Sequence, residues 1–184
     1  MEETSDRSTL TAVILAFVIM LAVAAGIYLL IPHKLTAITV TKVDVFAPHT
    51  EFTPTEGDSV HVVGEPGQAE DDLYVVAHLN MTDKLSQRVF INGWSGTITL
   101  ADGTSRDATY VAKSQLPRLQ QIFPQIASLA TTPIGDGDEL DPGVNNSGSI
   151  VLLFPNTTQD EWNKRRSAEL TLNIRDHGPQ TVKL

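Results

Sequence analysis

The rhythm of apolar and polar residues changes twice along this chain. Residues 9–31 form one apolar run without a charged side chain, and Pro32 ends it. From Thr36 the rhythm becomes period two. The stretch TAITVTKVDVF (36–46) is rich in β-branched residues and predicts a strand that stops before Pro48. A shorter strand is expected at DSVHVVG (58–64), followed by the loop EPGQAEDD. LYVVAHLNM (73–81) alternates most cleanly. Leu73, Val75, Ala77, Leu79 and Met81 fall on one face of that strand, and Tyr74, Val76, His78 and Asn80 on the other. RVFING (88–93) and GTITLADGT (96–104) continue the β rhythm, with Asp102-Gly103 as a hairpin turn from which RDATYVAK (106–113) returns.

At SQLPRLQQIFPQIASL (114–129) the period shifts to that of a helix, with Leu116, Leu119, Ile122, Phe123, Ile126 and Leu129 on one stripe. Pro117 suits a first turn. Pro124 removes a backbone donor inside the run, so two short helical pieces are expected. Their stripe reads as a crossover packed over the end of a β-sandwich. The alternative is an interaction surface for a partner, formed by Leu116, Leu119, Ile122, Phe123 and Ile126. Residues 131–148 have the composition of a loop. SIVLLFP (149–155) is an apolar run of strand length. TTQDEWNKRR (157–166) predicts a helix, with Thr158 and Glu161 at capping-box spacing and basic residues at the far end. AELTLNIRD (168–176) and PQTVKL (179–184) are the last two strands. Many short strands, few helices and no regular strand–helix alternation predict an all-β fold, an antiparallel β-sandwich with short helical insertions.

As a helix, residues 9–31 would measure about 34 Å, against a hydrocarbon core of about 30 Å. One N-terminal transmembrane helix is therefore expected before the sandwich: a tail over 1–8, an anchor over 9–32 and a β-sandwich domain over 33–184. Ala22-Val23-Ala24 has the small residues of a signal-peptidase site. Yet the flank before the run is acidic, and the run continues through Gly26 to Ile31, so an uncleaved anchor fits better than a signal peptide. Arg7 precedes the span, and Lys34 and Lys42 follow it. That count leans weakly towards an internal domain. The layout of short tail, single span and folded domain favours the domain outside, and that placement is the expectation.

Composition mostly removes possibilities. The formal net charge of −9 opposes binding to nucleic acid and to anionic lipid surfaces. The absence of cysteine excludes disulfides, thiolate metal sites and a thiol nucleophile. Asp136, Asp138, Glu139 and Asp141 crowd one loop and are the candidate calcium ligands, although Leu140 breaks the alternate spacing of an EF-hand-like loop. The five histidines, His33, His49, His61, His78 and His177, show no zinc-ligand spacing. NGWSG (92–96) lacks the second glycine of a nucleophile elbow, since Thr97 stands there. No cofactor motif is present, and no enzymatic role is expected.

The order of motifs DDLYVVAHLNMTD, ITLADGT and ELDPGVNNSGSIVLLFP resembles that of bacterial extracytoplasmic immunoglobulin-like domains of unknown function, carried on lipoproteins or single-span anchors. The matching positions are Leu79, Asn80, Leu100, Asp102, Gly103, Pro142, Gly143, Gly148, Phe154 and Pro155, within residues 72–174. The chain departs from the pattern in lacking a lipid-attachment cysteine and in carrying the proline-broken insertion at 114–129. The resemblance implies an immunoglobulin-like sandwich and an accessory or interaction role in the cell envelope, on the cytoplasmic (inner) membrane, with another envelope protein as partner. The alternative is a small-ligand or calcium-binding sensor domain at the membrane surface.

Overall fold

The computed structural model describes residues 3–30, 36–51 and 69–184. They divide into two units, 1–35 and 36–184. The first holds helix α1 (Glu3–Leu30). Its described large apolar side chains, among them Leu15, Phe17, Ile19, Met20 and Val23, are more than half exposed. Side chains of α1 are described over 12–26 and at Tyr28, and 12–26 makes about 22 Å of helix, short of a hydrocarbon core. Among the described residues, no helix is long and apolar enough to cross a membrane. The anchor expected over 9–32 thus overlaps a long apolar helix without being completed within the described residues.

The second unit is mostly β. Its strands are β1 (Thr36–Phe46), β2 (His49–Glu51), β3 (Ala69–Asp71), β4 (Leu73–Asp83), β5 (Val89–Thr99), β6 (Ser105–Tyr110), β7 (Glu139–Leu140), β8 (Asn145–Phe154), β9 (Ser167–Ile174) and β10 (Gln180–Lys183). Helices α2 (Leu116–Ile122) and α3 (Pro124–Leu129) sit between β6 and β7, and α4 (Gln159–Asn163) between β8 and β9. All paired strands are antiparallel. The hydrogen-bonded path runs β1-β4-β8-β6-β5-β9-β10, with β7 on β5 and β2 paired to β3. β6 is the corner: its first residues pair with β5, and Thr109 and Tyr110 pair with β8. The path curls until its ends meet, where the Gln180 side chain bonds the Thr36 backbone N–H. The strand expected at 58–64 lies outside the described residues.

Alternation places the core. Leu73, Val75, Leu79 and Met81 of β4 are fully buried and lie beside Ile150, Leu152 and Phe154 of β8. Ile98 of β5 and Leu170 and Leu172 of β9 are equally buried. Gly96 of β5 marks close approach of these groups: a Cβ there would stand 2.7 Å from Leu152 Cδ1. In β1 the apolar register changes from Ile38 and Val40 to Val43 and Val45. A bulge between Val40 and Lys42 absorbs the extra residue and keeps both pairs on the face shared with β4's core side. RVFING and GTITL form one strand rather than two, because a second irregularity, between Ile91 and Gly93, carries β5 through Asn92.

The helical insertion splits at Pro124, as its sequence requires. Each piece starts with a proline in its first turn, and Phe123 closes the first with its N–H on the Leu119 carbonyl. The insertion covers a sheet face, not the end of the sandwich. Leu116 and Ile126 pack with Tyr74, Val76, Val111 and Val151 into a second apolar cluster on the outer side of β4 and β8. β4 is therefore buried on both sides along its first half, where alternation alone predicted one buried face. At α4 the capping box forms, with Glu161 N–H donating to Thr158 Oγ1 at 3.1 Å and Thr158 N–H to Glu161 Oε2 at 2.9 Å.

Candidate functional site

The helical stripe is a packing face. Ile126 is fully buried, Leu116 nearly so, and Leu119 and Phe123 lie half-buried against the same cluster. The Phe123 ring stands 5.5 Å from Phe46 and 5.6 Å from Tyr74. Ile122 alone of the five points out, 60% exposed. Four of the five turn inward because the outer face of β4 and β8 is itself apolar here.

The acidic loop is likewise spent on internal contacts. The Asp138 carboxylate accepts from the Gly135 N–H at 2.9 Å and pairs with Lys113 Nζ at 3.2 Å. Arg88 reaches Glu139 at 2.6 Å and Asp141 at 2.7 Å. Asp136 is exposed and lies next to Gly93. Backbone bonds from Ile91 N–H to the Asp138 carbonyl and from Gly137 N–H to the Ile91 carbonyl fasten the loop to β5. Calcium requires six to eight oxygens converging on one point. These carboxylates diverge towards two cations instead, and among the described residues no three His, Cys, Asp or Glu side chains are grouped to hold a metal. Tyr110 borders the loop, its hydroxyl 3.3 Å from the Ile134 carbonyl; burial, reinforced by the negative charge of Asp136, pushes it up to about 12.

The second half of the β1-β4-β8 outer face has a different character. Beyond Tyr74 and Val76 the outward residues of β4 become His78 and Asn80, paired in register with Ser149 and Ser147 of β8. A groove of about 200 Å³ lies there, lined by Thr41, His78, Asn80, Thr131, Thr132 and Ser147, with Leu79 and Gly148 completing it. His78 Nε2 is 3.0 Å from Asp44 Oδ2. Lys42, with its ammonium 2.8 Å from Asp44, holds that carboxyl below the usual carboxylate range against the opposing effect of burial, and His78 adds to the lowering. Ser147 Oγ donates to Asn80 Oδ1 at 2.7 Å, and Thr41 Oγ1 to the His78 carbonyl at 3.1 Å. The groove's far wall is the segment at 131–134, tied to β8 by Ser149 N–H on the Thr132 carbonyl and Ile134 N–H on the Ser149 carbonyl. Gly148 is required: a Cβ there would lie 2.5 Å from the Thr132 carbonyl oxygen. Sequence reasoning treats His78 and Asn80 as strand-face residues. The available signal is the switch from apolar to polar on one face within a single strand.

His33 and His61 lie outside the described residues. Trp94 of the NGWSG stretch is a buried core residue. The expectation that Thr158 and Glu161 form a cap extends to Arg106, which donates to the Asn156 carbonyl and clasps Glu161 at 3.1 and 3.2 Å.

No family model matches the chain, and no curated protein does. Among solved structures it is similar to an uncharacterised β-sandwich protein from Clostridium difficile 630. The identity is 13%, over 84% of this chain and 88% of that one, with a TM-score of 0.39.

Proposed function

We propose that this chain is a single-span, membrane-anchored β-sandwich domain of the bacterial cell envelope, with an accessory or interaction role, held on the outer side of the cytoplasmic membrane. One observation carries the reading: α1 presents large apolar side chains to its surroundings along its described length, with Val13, Phe17, Met20, Leu21 and Val23 each more than half exposed. An apolar surface of that extent in water is costly at about 25 cal/mol per Å², and hydrocarbon is the solvent that removes the cost. The strand order supports the immunoglobulin-like form of the sandwich. β1, β4 and β8 stand on one side, and β5, β9 and β10 on the other, with β6 crossing between them. In this reading the domain carries out no reaction of its own, and its partner is another envelope protein.

Protease added to intact spheroplasts should digest the domain over 36–184. Digestion only after lysis would refute the outward placement. Retention of the chain in the membrane fraction after an alkaline wash is the matching expectation for the anchor, and a mature chain beginning at Ala25 by mass spectrometry would refute it.

A further inference from the structure

We propose that the groove between His78, Asn80, Ser147 and the 131–132 segment binds a neutral, hydroxyl-rich ligand the size of one sugar ring: a saccharide unit, free or within a longer glycan. The inference is independent of the membrane reading, since it concerns only the second unit. Its basis is the chemistry left open in the groove. Asn80 uses its side-chain oxygen on Ser147, and its amide nitrogen has no bond among the described residues. The hydroxyls of Thr131 and Thr132 are exposed and likewise unbonded among the described residues, because only their carbonyls hold Ser149. Thr41 and Ser147 each donate their proton internally and keep lone pairs to accept with. With Asp44 ionised, His78 donates through Nε2, so in its neutral form Nδ1 is an acceptor. Adjacent donors and acceptors of this kind match vicinal hydroxyls, each of which gives one proton and accepts another.

Charge selects against the alternatives. Among the described residues, the carboxylate beside the groove, Asp44, is paired with Lys42 and bonded to His78, and His78 is the one ionisable side chain lining the space. An anionic ligand finds no unpaired cation there among the described residues and meets a chain of net charge −9. A cationic one finds no free carboxylate. The space, about 200 Å³, is on the scale of one ring and is open to solvent, so that a longer glycan can run on from it. The wall is held rather than pliant. Thr132 has φ +50, uncommon for a β-branched residue, and is kept there by the two backbone bonds to Ser149.

The test is ¹H–¹⁵N NMR of the full chain in phosphocholine micelles, titrated with glucose, N-acetylglucosamine and glucuronate. The expected result is shifts centred on His78, Asn80, Ser147 and residues 131–132 for the two neutral sugars, with Kd on the order of 1–10 mM and weaker binding of glucuronate. Asn80→Ala and Thr131→Val should each weaken binding about fivefold, as loss of one hydrogen bond would. The exposed, bond-free Thr131 hydroxyl makes the second variant safe for folding, and Ile122→Ala should leave binding unchanged. Absence of shifts at about 100 mM sugar, where a site of this affinity is filled, would overturn the proposal. So would shifts centred elsewhere, undiminished wild-type affinity in both variants, or tighter binding of glucuronate.

Discussion

Replacing Ile126 and Ile122 in turn by alanine separates packing from partner contact within one stripe. The two residues are four positions apart on either side of the break at Phe123, both isoleucine, and differ in what they face: Ile126 is fully buried among Tyr74, Val76, Leu116 and Val151, and Ile122 is 60% exposed. Truncation of either removes three carbons. At about 0.8 kcal/mol per buried methylene, the transfer part at Ile126 is about 2.4 kcal/mol. The space left behind is walled by sheet residues that are themselves fixed in register, so a cavity of about 60 Å³ remains and adds about 1.4 kcal/mol. The sum, about 4 kcal/mol, lies inside the usual range for Ile→Ala in a core. For a domain of this size it lowers Tm by about 8–16 °C. Ile122→Ala removes carbons already in solvent and should change stability by less than about 0.5 kcal/mol. Urea denaturation followed by circular dichroism reads both values. Similar losses at the two positions, or a larger one at Ile122, would refute the assignment of α2 and α3 as a cover for the sheet.

Three further outcomes follow from the same packing and pairing. Gly148→Ala drives a Cβ to within 2.5 Å of the Thr132 carbonyl, so the edge bonds at Ser149 must give way, at a cost of about 1–3 kcal/mol; Gly178→Ala, with open space around it, serves as the control and should be nearly silent. The carboxyls of Asp44, held low by Lys42 and then His78, and of Glu161, held low by the Thr158 N–H and then Arg106, make stability present above their unfolded values near 4 and lost as pH falls through their folded ones. The urea midpoint should therefore drop on acidification below about pH 4, and less steeply in Asp44→Asn; an identical slope in that variant would count against the pairing. Tyr110, pushed up to about 12, should ionise late in an ultraviolet titration, and because its folded value is raised, the stability it contributes is full below pH 10 and lost as pH rises from there through 12; a chain whose tyrosines all titrate near 10 while still folded would contradict its burial.

The strands were legible wherever one face was apolar and the other polar. β1, β4 and β9 begin and end close to where alternation puts them. The capping box of α4 was legible because it depends on two residues at fixed spacing and on nothing distant. Misreadings arose where distant residues decide. Glu139 and Asp141 look like ligands until Arg88 is brought beside them by the pairing of β7 with β5, a contact fifty residues long in sequence. Leu116 and Ile126 look like a free apolar face until Tyr74 and Val151 supply the opposite wall. β5 looked like two strands because NGWSG reads as a turn shaped by Trp94 and Ser95, whereas these two residues pair with Leu172 and Thr171 of β9 inside the strand. Asp83 left no trace at all: its burial depends on where β4 ends, with one carboxylate oxygen held by the Leu85 N–H and the other without a partner among the described residues.

The groove has a cause that can be traced to one strand. Along β4 the outward positions read Tyr74, Val76, His78, Asn80, and each is matched on β8 by Leu153, Val151, Ser149 and Ser147. The apolar pairs require cover and receive it from α2 and α3; the polar pairs would lose hydrogen bonds to water under the same cover. α3 therefore stops at Leu129, and the chain turns along the edge of β8, with Ser149 Oγ on the Thr131 carbonyl and the Ser149 N–H on that of Thr132. That turn brings two unbonded threonine hydroxyls beside Asn80 and His78, and makes a bulkier residue at 148 intolerable. Extending the cover by exchanging His78 and Asn80 for apolar residues should favour burial of this half and abolish sugar shifts together. If such a variant kept the shifts at residues 131–132, the polar half of β4 would not be what forms the site.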